Sequence, residues 1–182
     1  MENGVWTPVR PSLTKRMLAY VNALDQGGRY PLCIWPPHCL IGSHGATVVP
    51  ELFDAFRNWE EEKFGIVDYV AKGSNLYTEH YSGVKAEVPD PEDPSTHINT
   101  GLINTLMEAD VIGLAGEAGS HCLANTARDI ANEFGDDSYV AKFCLLTDGT
   151  SPVTGFEQMQ TDFVDEMVQR GMTTSTCADF LA

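Results

Sequence analysis

Asp110-Val-Ile-Gly-Leu-Ala-Gly-Glu-Ala-Gly-Ser-His-Cys122 is an apolar run that turns, through a cluster of small residues, into a helix. Its first half reads as a short buried strand, and beyond Cys122 the residues Leu123, Ala127, Ile130, Ala131 and Phe134 recur at helical spacing. Cys122 therefore falls in the first turn of a helix at the carboxyl end of a strand. A thiol placed there meets unpaired backbone N–H groups and the positive end of the helix dipole, both of which favour thiolate over thiol. Gly116, Ala118, Gly119 and Ser120 let a carbonyl group approach the backbone closely, so that amide N–H groups could act as donors to a developing oxyanion. The plain alternative is a buried structural cysteine at an ordinary strand-to-helix turn.

Outward from this turn, helices and strands alternate. A helix follows Pro11 and Ser12, with Leu13, Met17, Tyr20, Val21 and Leu24 as its apolar stripe and Gly27-Gly28 at its end. Strands are expected over Tyr30–Trp35, stopped by Pro36-Pro37, and over Ile66–Ala71, running into Lys72-Gly73. Between them a helix from Pro50 carries Leu52, Phe53, Phe56 and Trp59 on one side. Residues 74–95 read as loop, Ile98–Met107 as helix, Tyr139–Thr147 as a buried strand, and Phe156, Met159, Phe163, Met167 and Val168 mark a last helix. Such alternation implies right-handed crossovers and an α/β fold with a mostly parallel sheet, whose sites gather outside the carboxyl ends of the strands. Trp35 to His38, Lys72 and Cys122 each follow one expected strand, which places them at one end of the sheet.

With 182 residues, 43% of them hydrophobic, the chain is expected to form a single domain over 1–182. The formal charge of −15 argues against nucleic acid or an anionic membrane as partner, and leaves small neutral molecules open. No apolar stretch approaches the roughly 20 residues of a membrane span, and residues 1–6 lack the basic and apolar regions of a leader, so a cytoplasmic protein is expected. Five cysteines without framework spacing fit a reducing compartment, with Cys33, Cys144 and Cys177 as packing residues.

Four runs in register carry a resemblance: Ile34-Trp-Pro-Pro-His-Cys-Leu-Ile-Gly-Ser-His-Gly-Ala46, Val70-Ala-Lys-Gly73, Tyr81-Ser-Gly83, and Gly116 to Cys122 followed by Thr126-Ala-Arg-Asp129. Over roughly residues 30–150 the chain resembles the nicotinamidases among the isochorismatase-like cysteine hydrolases. The resemblance implies a three-layer Rossmann-like fold and an amidase that converts nicotinamide and water to nicotinic acid and ammonia through a cysteine thioester. It maps the nucleophile to Cys122 and its neighbouring lysine to Lys72. It maps the oxyanion donors to the backbone N–H groups of Ala118 and Cys122, with a cis peptide at Glu117–Ala118. Trp35 and Tyr81 match aromatic walls of the carboxamide pocket, and His38 matches one ligand of a divalent zinc or iron ion.

The matched part corresponds to the carboxyl-terminal two-thirds of such a hydrolase. The family's first strand, with its catalytic aspartate in an Asp-x-Gln-Asn-like run, has no counterpart in this chain, nor has the Asp-x-His pair that completes the metal site. One imidazole does not hold a catalytic zinc or iron, which needs about three protein ligands. Without the aspartate, general acid–base help worth about 10²–10⁴-fold must come from elsewhere. Glu117, inside the nucleophile turn, is the nearest candidate for a substitute base. Two readings stay open: an amide hydrolase, or an incomplete, non-catalytic relative that serves as a binding or assembly subunit. A missing central strand would leave backbone edges unpaired, so a homo-oligomer, or association with a chain that supplies the strand, is expected.

Overall fold

The turn that leads into Cys122 is built as its sequence dictates. The apolar run forms β1 (Ile112–Leu114), and α4 (Cys122–Phe134) opens at Cys122 itself. This is a computed structural model, and it describes residues 7–27 and 29–182; the expectations for residues 1–6 and for Gly28 fall outside them. β1 pairs in parallel with β2 (Phe143–Leu146), Ile112 opposite Phe143 and Leu114 opposite Leu145. β2 pairs in turn with β3 (Thr173–Ser175), giving a three-stranded parallel sheet in the order β1-β2-β3. The mixed α/β class is thus observed. β2, the central strand, is apolar throughout and buries Phe143, Cys144 and Leu145, as a strand covered on both faces must.

The crossovers are α4 and α5 (Glu157–Gln169). α4 buries Ala124, Ala127, Ile130, Ala131 and Phe134, and is stopped by Gly135 at φ 70°, a left-handed cap that glycine adopts without steric cost. These residues meet Phe163 and Met167 of α5 together with Val84, Ile103, Val140 and the strand residues in one core. Full burial of each large side chain contributes about 1.5–3 kcal/mol, so this core fixes the helix whose first residue is Cys122. Cys144 is buried as expected, whereas Cys177 is exposed in the turn after β3, and Cys33 is half-buried.

Before β1 the chain forms α1 (Thr14–Gly27), entered through a 3-10 turn at Pro11–Leu13, then α2 (Pro50–Lys63) and α3 (Thr100–Glu108). The Asn99 side chain caps α3 by accepting the Leu102 N–H at 3.0 Å. Tyr139–Lys142, expected as strand, lies in the 3-10 helix Asp137–Lys142, and the strand begins only at Phe143. The expected strands Tyr30–Trp35 and Ile66–Ala71 do not form; neither joins the sheet. A strand exists only through a neighbour that accepts its N–H and C=O groups, and β1, the outer strand of the described sheet, pairs with neither segment. Between these two segments in the chain lie apolar residues that the described residues leave exposed. Leu52, Phe53 and Trp59 on α2 are exposed, as are Phe64, Ile66 and Tyr69 after it. The α2 stripe was read correctly as apolar, but among the described residues no layer covers it.

Candidate active site

Cys122 stands half-buried at the head of α4. The Lys72 ammonium lies 3.6 Å from its Sγ and donates a 2.8 Å hydrogen bond to the His80 carbonyl, which fixes the amine beside the thiol. Within the turn, the N–H of Gly119 donates to the Ser151 carbonyl, and those of His121 and Leu123 donate to the Ala118 carbonyl. Ala118 and Cys122 N–H groups have no such partner among the described residues. The Glu117–Ala118 peptide is cis, where the resemblance mapped it. A Cβ at Gly119 would fall 2.1 Å from Gln160 Oε1 and 2.8 Å from Thr150 Oγ1, so a side chain there requires both of these side chains to shift.

An aromatic cluster surrounds His121, the residue before Cys122. Trp35 Nε1 donates to the Tyr81 hydroxyl at 3.0 Å, so these two sequence-selected residues are brought together. Tyr30, Phe156 and His121 complete the cluster; the His121 ring stacks on Tyr30 at 5.5 Å, meets Trp35 edge-on at 5.4 Å and Phe156 at 4.9 Å. These last three were not singled out from sequence. Phe156 had been read as part of the final apolar stripe, but it is the residue before α5 and its ring turns to the cluster. His121 lacks any spacing signal, its only cue being adjacency to Cys122.

Burial pushes the Tyr81 hydroxyl from 10.0 up to about 12, against the Trp35 hydrogen bond, and burial likewise raises Tyr20 from 10.0 to about 12. For both, the folded value lies above the unfolded one. Their contribution to stability is therefore complete below pH 10 and is lost as pH rises from 10 towards 12. Alkaline titration followed by tyrosinate absorbance and circular dichroism together is expected to show these two tyrosines ionising with unfolding. Tyr81→Phe should move the alkaline transition to higher pH.

Two selected residues stand apart from the thiol. The Glu117 carboxylate accepts from the Ser151 N–H at 3.1 Å and from the Ser151 hydroxyl at 2.9 Å, and has no bond to Cys122 or Lys72. The His38 ring contacts the Pro36 carbonyl at 2.7 Å through Nδ1 and is exposed. No group of three His, Cys, Asp or Glu side chains able to hold a metal occurs among the described residues, so the donor set around His38 does not fit a zinc or iron ion.

The Thr126-Ala-Arg-Asp129 run holds α4 in place. The Thr126 hydroxyl accepts the Gly83 N–H at 3.0 Å and donates to the Cys122 carbonyl at 2.7 Å, Arg128 pairs with Glu166 at 2.7 Å, and the fully buried Asp129 pairs with Arg29. Burial disfavours the Arg29 charge, but Asp129 and Glu87 outweigh it and raise its pKa.

The same arrangement of sheet and helices is also found in solved structures. The yeast nicotinamidase Pnc1p bound to the inhibitor nicotinaldehyde superposes with a TM-score of 0.57 at 19% identity, over 81% of this chain and 60% of that one. The fold is that of the nicotinamidases. The nicotinamidase/pyrazinamidase of Acinetobacter baumannii matches with a TM-score of 0.54 at 19% identity, over 82% of this chain and 62% of its own. The chain thus spans about 60% of the length of the nicotinamidases it matches. No protein-family model and no curated protein matches it. No helix among the described residues is long and apolar enough to cross a membrane.

Proposed function

We propose that the chain is an amide hydrolase of the nicotinamidase type, acting on a small planar carboxamide such as nicotinamide. The observation that carries this reading is Lys72 Nζ at 3.6 Å from Cys122 Sγ, at a helix head whose Ala118 and Cys122 N–H groups have no partner among the described residues. In this mechanism the Cys122 sulfur attacks the carboxamide carbon, the carbonyl electrons move to oxygen, and the Ala118 and Cys122 N–H groups with the Lys72 ammonium stabilise that oxyanion. Collapse expels the nitrogen, which leaves as ammonia after gaining a proton, and a thioester remains. Water then attacks the thioester, releasing the acid and the thiol. Trp35, Tyr81, Tyr30 and Phe156 stack against the planar substrate. With Glu117 held by Ser151, it is better placed to brace the turn than to carry the proton.

The test is ammonia release from nicotinamide by the purified chain. Release that Cys122→Ala removes supports the reading. A folded chain whose Cys122 is alkylated normally but which releases no ammonia overturns it. The resemblance would place this activity in cytoplasmic pyridine-nucleotide salvage.

We further infer that a second copy of the chain covers the exposed apolar residues Ile34, Leu40, Ile41 and Val49. Residues 31–50 contain no Asp, Glu, Lys or Arg in a chain of net charge −15, so copies can meet there without like-charge repulsion. Leu40 and Ile41 in this run are 58% and 84% exposed. Sedimentation at micromolar concentration is expected to give a dimer or larger assembly, and Leu40→Glu with Ile41→Glu to give a monomer of unchanged circular dichroism. A monomeric parent chain would refute the association.

A further inference from the structure

Cys122 differs from the other four cysteines in having an amine against its sulfur. All five thiols are free, and among the described residues Lys72 Nζ, 3.6 Å from Cys122 Sγ, is the one side-chain nitrogen within hydrogen-bond reach of a cysteine sulfur. The amine is held there by its 2.8 Å hydrogen bond to the His80 carbonyl. Cys122 is half-buried and Lys72 exposed, so a small polar oxidant reaches the sulfur and solvent reaches the amine.

A thiol oxidised by peroxide passes through a sulfenic acid, which condenses with a second thiol or with a nitrogen, or else is oxidised further and irreversibly. The nearest amide nitrogen along the chain, that of Leu123, is already used: its N–H donates to the Ala118 carbonyl at 3.1 Å and helps to close the head of α4. Bonding that nitrogen to sulfur breaks the turn. Lys72 reaches the sulfur by rotation of its flexible four-carbon stem, and gives up only the His80 carbonyl. Well-oriented groups within one molecule react as though at about 10⁵–10⁸ M, and a small part of that advantage outruns any thiol in solution.

We propose that Cys122 and Lys72 form a redox-sensitive modification site, at which hydrogen peroxide drives a reversible sulfur–nitrogen bond between the two side chains. In the first step the Cys122 sulfur attacks one peroxide oxygen and the O–O bond breaks. Sulfur is oxidised by two electrons to S–OH, and the other oxygen leaves as water with the thiol proton. In the second step the Lys72 ammonium yields a proton to solvent, and the neutral amine attacks sulfur. The S–O bond breaks, and the hydroxide leaves as water with a proton from nitrogen. The resulting S–N bond masks the thiol and stops its passage to sulfinic acid. Reversal consumes two thiols: the first displaces the Lys72 amine to give a mixed disulfide on Cys122, and the second frees the Cys122 thiol. None of these steps requires that Cys122 hydrolyse an amide.

The probe is hydrogen peroxide, added to the purified chain before digestion without reductant and mass spectrometry. The expected product is a pair of peptides joined through Lys72 and Cys122, two hydrogens lighter than their sum, which dithiothreitol separates with recovery of Cys122 alkylation. Lys72→Arg keeps a positive charge beside the sulfur, but its guanidinium stays protonated and has no amine to give. In that variant the joined pair is expected to be lost, and Cys122 to reach a sulfinic acid that dithiothreitol does not restore. Lys72→Met serves as a second variant with the same expectation. A Cys122 disulfide as the parent's product overturns the proposal, as does a single peptide two hydrogens lighter, closed on the Leu123 nitrogen. A joined pair that carries an extra oxygen, an unmodified Cys122, or equal sulfinic acid in parent and variants overturns it as well. Ammonia release is not read in this experiment, so these results leave the amide-hydrolase reading to its own test.

Discussion

Ammonia release from nicotinamide is expected to disappear in Cys122→Ala and to fall about ten- to hundredfold in Lys72→Met. Removal of a covalent nucleophile typically costs on the order of 10⁶-fold, which takes hydrolysis below detection. The sulfur is half-buried, so its loss leaves only a small void, and the variant should keep its thermal midpoint within a few degrees. The Lys72 effect follows from Coulomb's law. At 3.6 Å an ammonium and a negative charge on sulfur attract by about 1 kcal/mol in water-like surroundings and by about 4–5 kcal/mol at an effective dielectric near 20. Lys72 is largely exposed, which places the loss in the lower half of that range, about 1.5–3 kcal/mol. The reduction should appear in kcat/KM and diminish in relative size as salt is added to the parent, since exposed charges are screened. Equal activity of Lys72→Met and parent would remove the lysine from the mechanism.

Asp129→Ala is expected to destabilise the chain by about 3 kcal/mol. Asp129 is fully buried on α4, two turns from Cys122, and its partner Arg29 is 31% exposed. Removing one member of a buried pair leaves the other charge without compensation, at about 3–5 kcal/mol; the partial exposure of Arg29, and Glu87 at 3.4 Å from it, set the loss at the lower end. Urea denaturation should show a lower midpoint at unchanged slope. The paired replacement Arg29→Met with Asp129→Leu, which removes both charges, should recover most of the loss. If the single and double variants are equally unstable, the ion pair is not what holds this part of α4.

The turn that leads into Cys122 was readable from local chemistry. Periodicity located α4, the small residues located the turn, and a thiol in that turn follows from the order of residues alone. Lys72 could be named because its motif repeats the order of the related hydrolases, but its 3.6 Å approach to Cys122 spans 50 residues of sequence and required the fold. Glu117 illustrates the limit in the other direction. Adjacent in sequence to the turn, it is drawn to Ser151, 34 residues away, because two donors there satisfy its carboxylate. The same holds for Phe156, whose helical spacing concealed a ring that belongs to the cluster.

Two layers of the protein therefore have different origins. Sequence alone determined what acts within one or two turns of chain: the helices, the presence of buried strands within 110–115 and 139–147, the thiol at a helix head, and the net charge of −15. Only the tertiary structure decided which apolar segments become strands. Residues 30–35 and 66–71 have strand composition but no neighbour to pair with, and backbone pairing is a property of two segments rather than one. It likewise decided the surroundings of Ser120, whose hydroxyl oxygen accepts the Val153 N–H, a hydrogen bond spanning 33 residues.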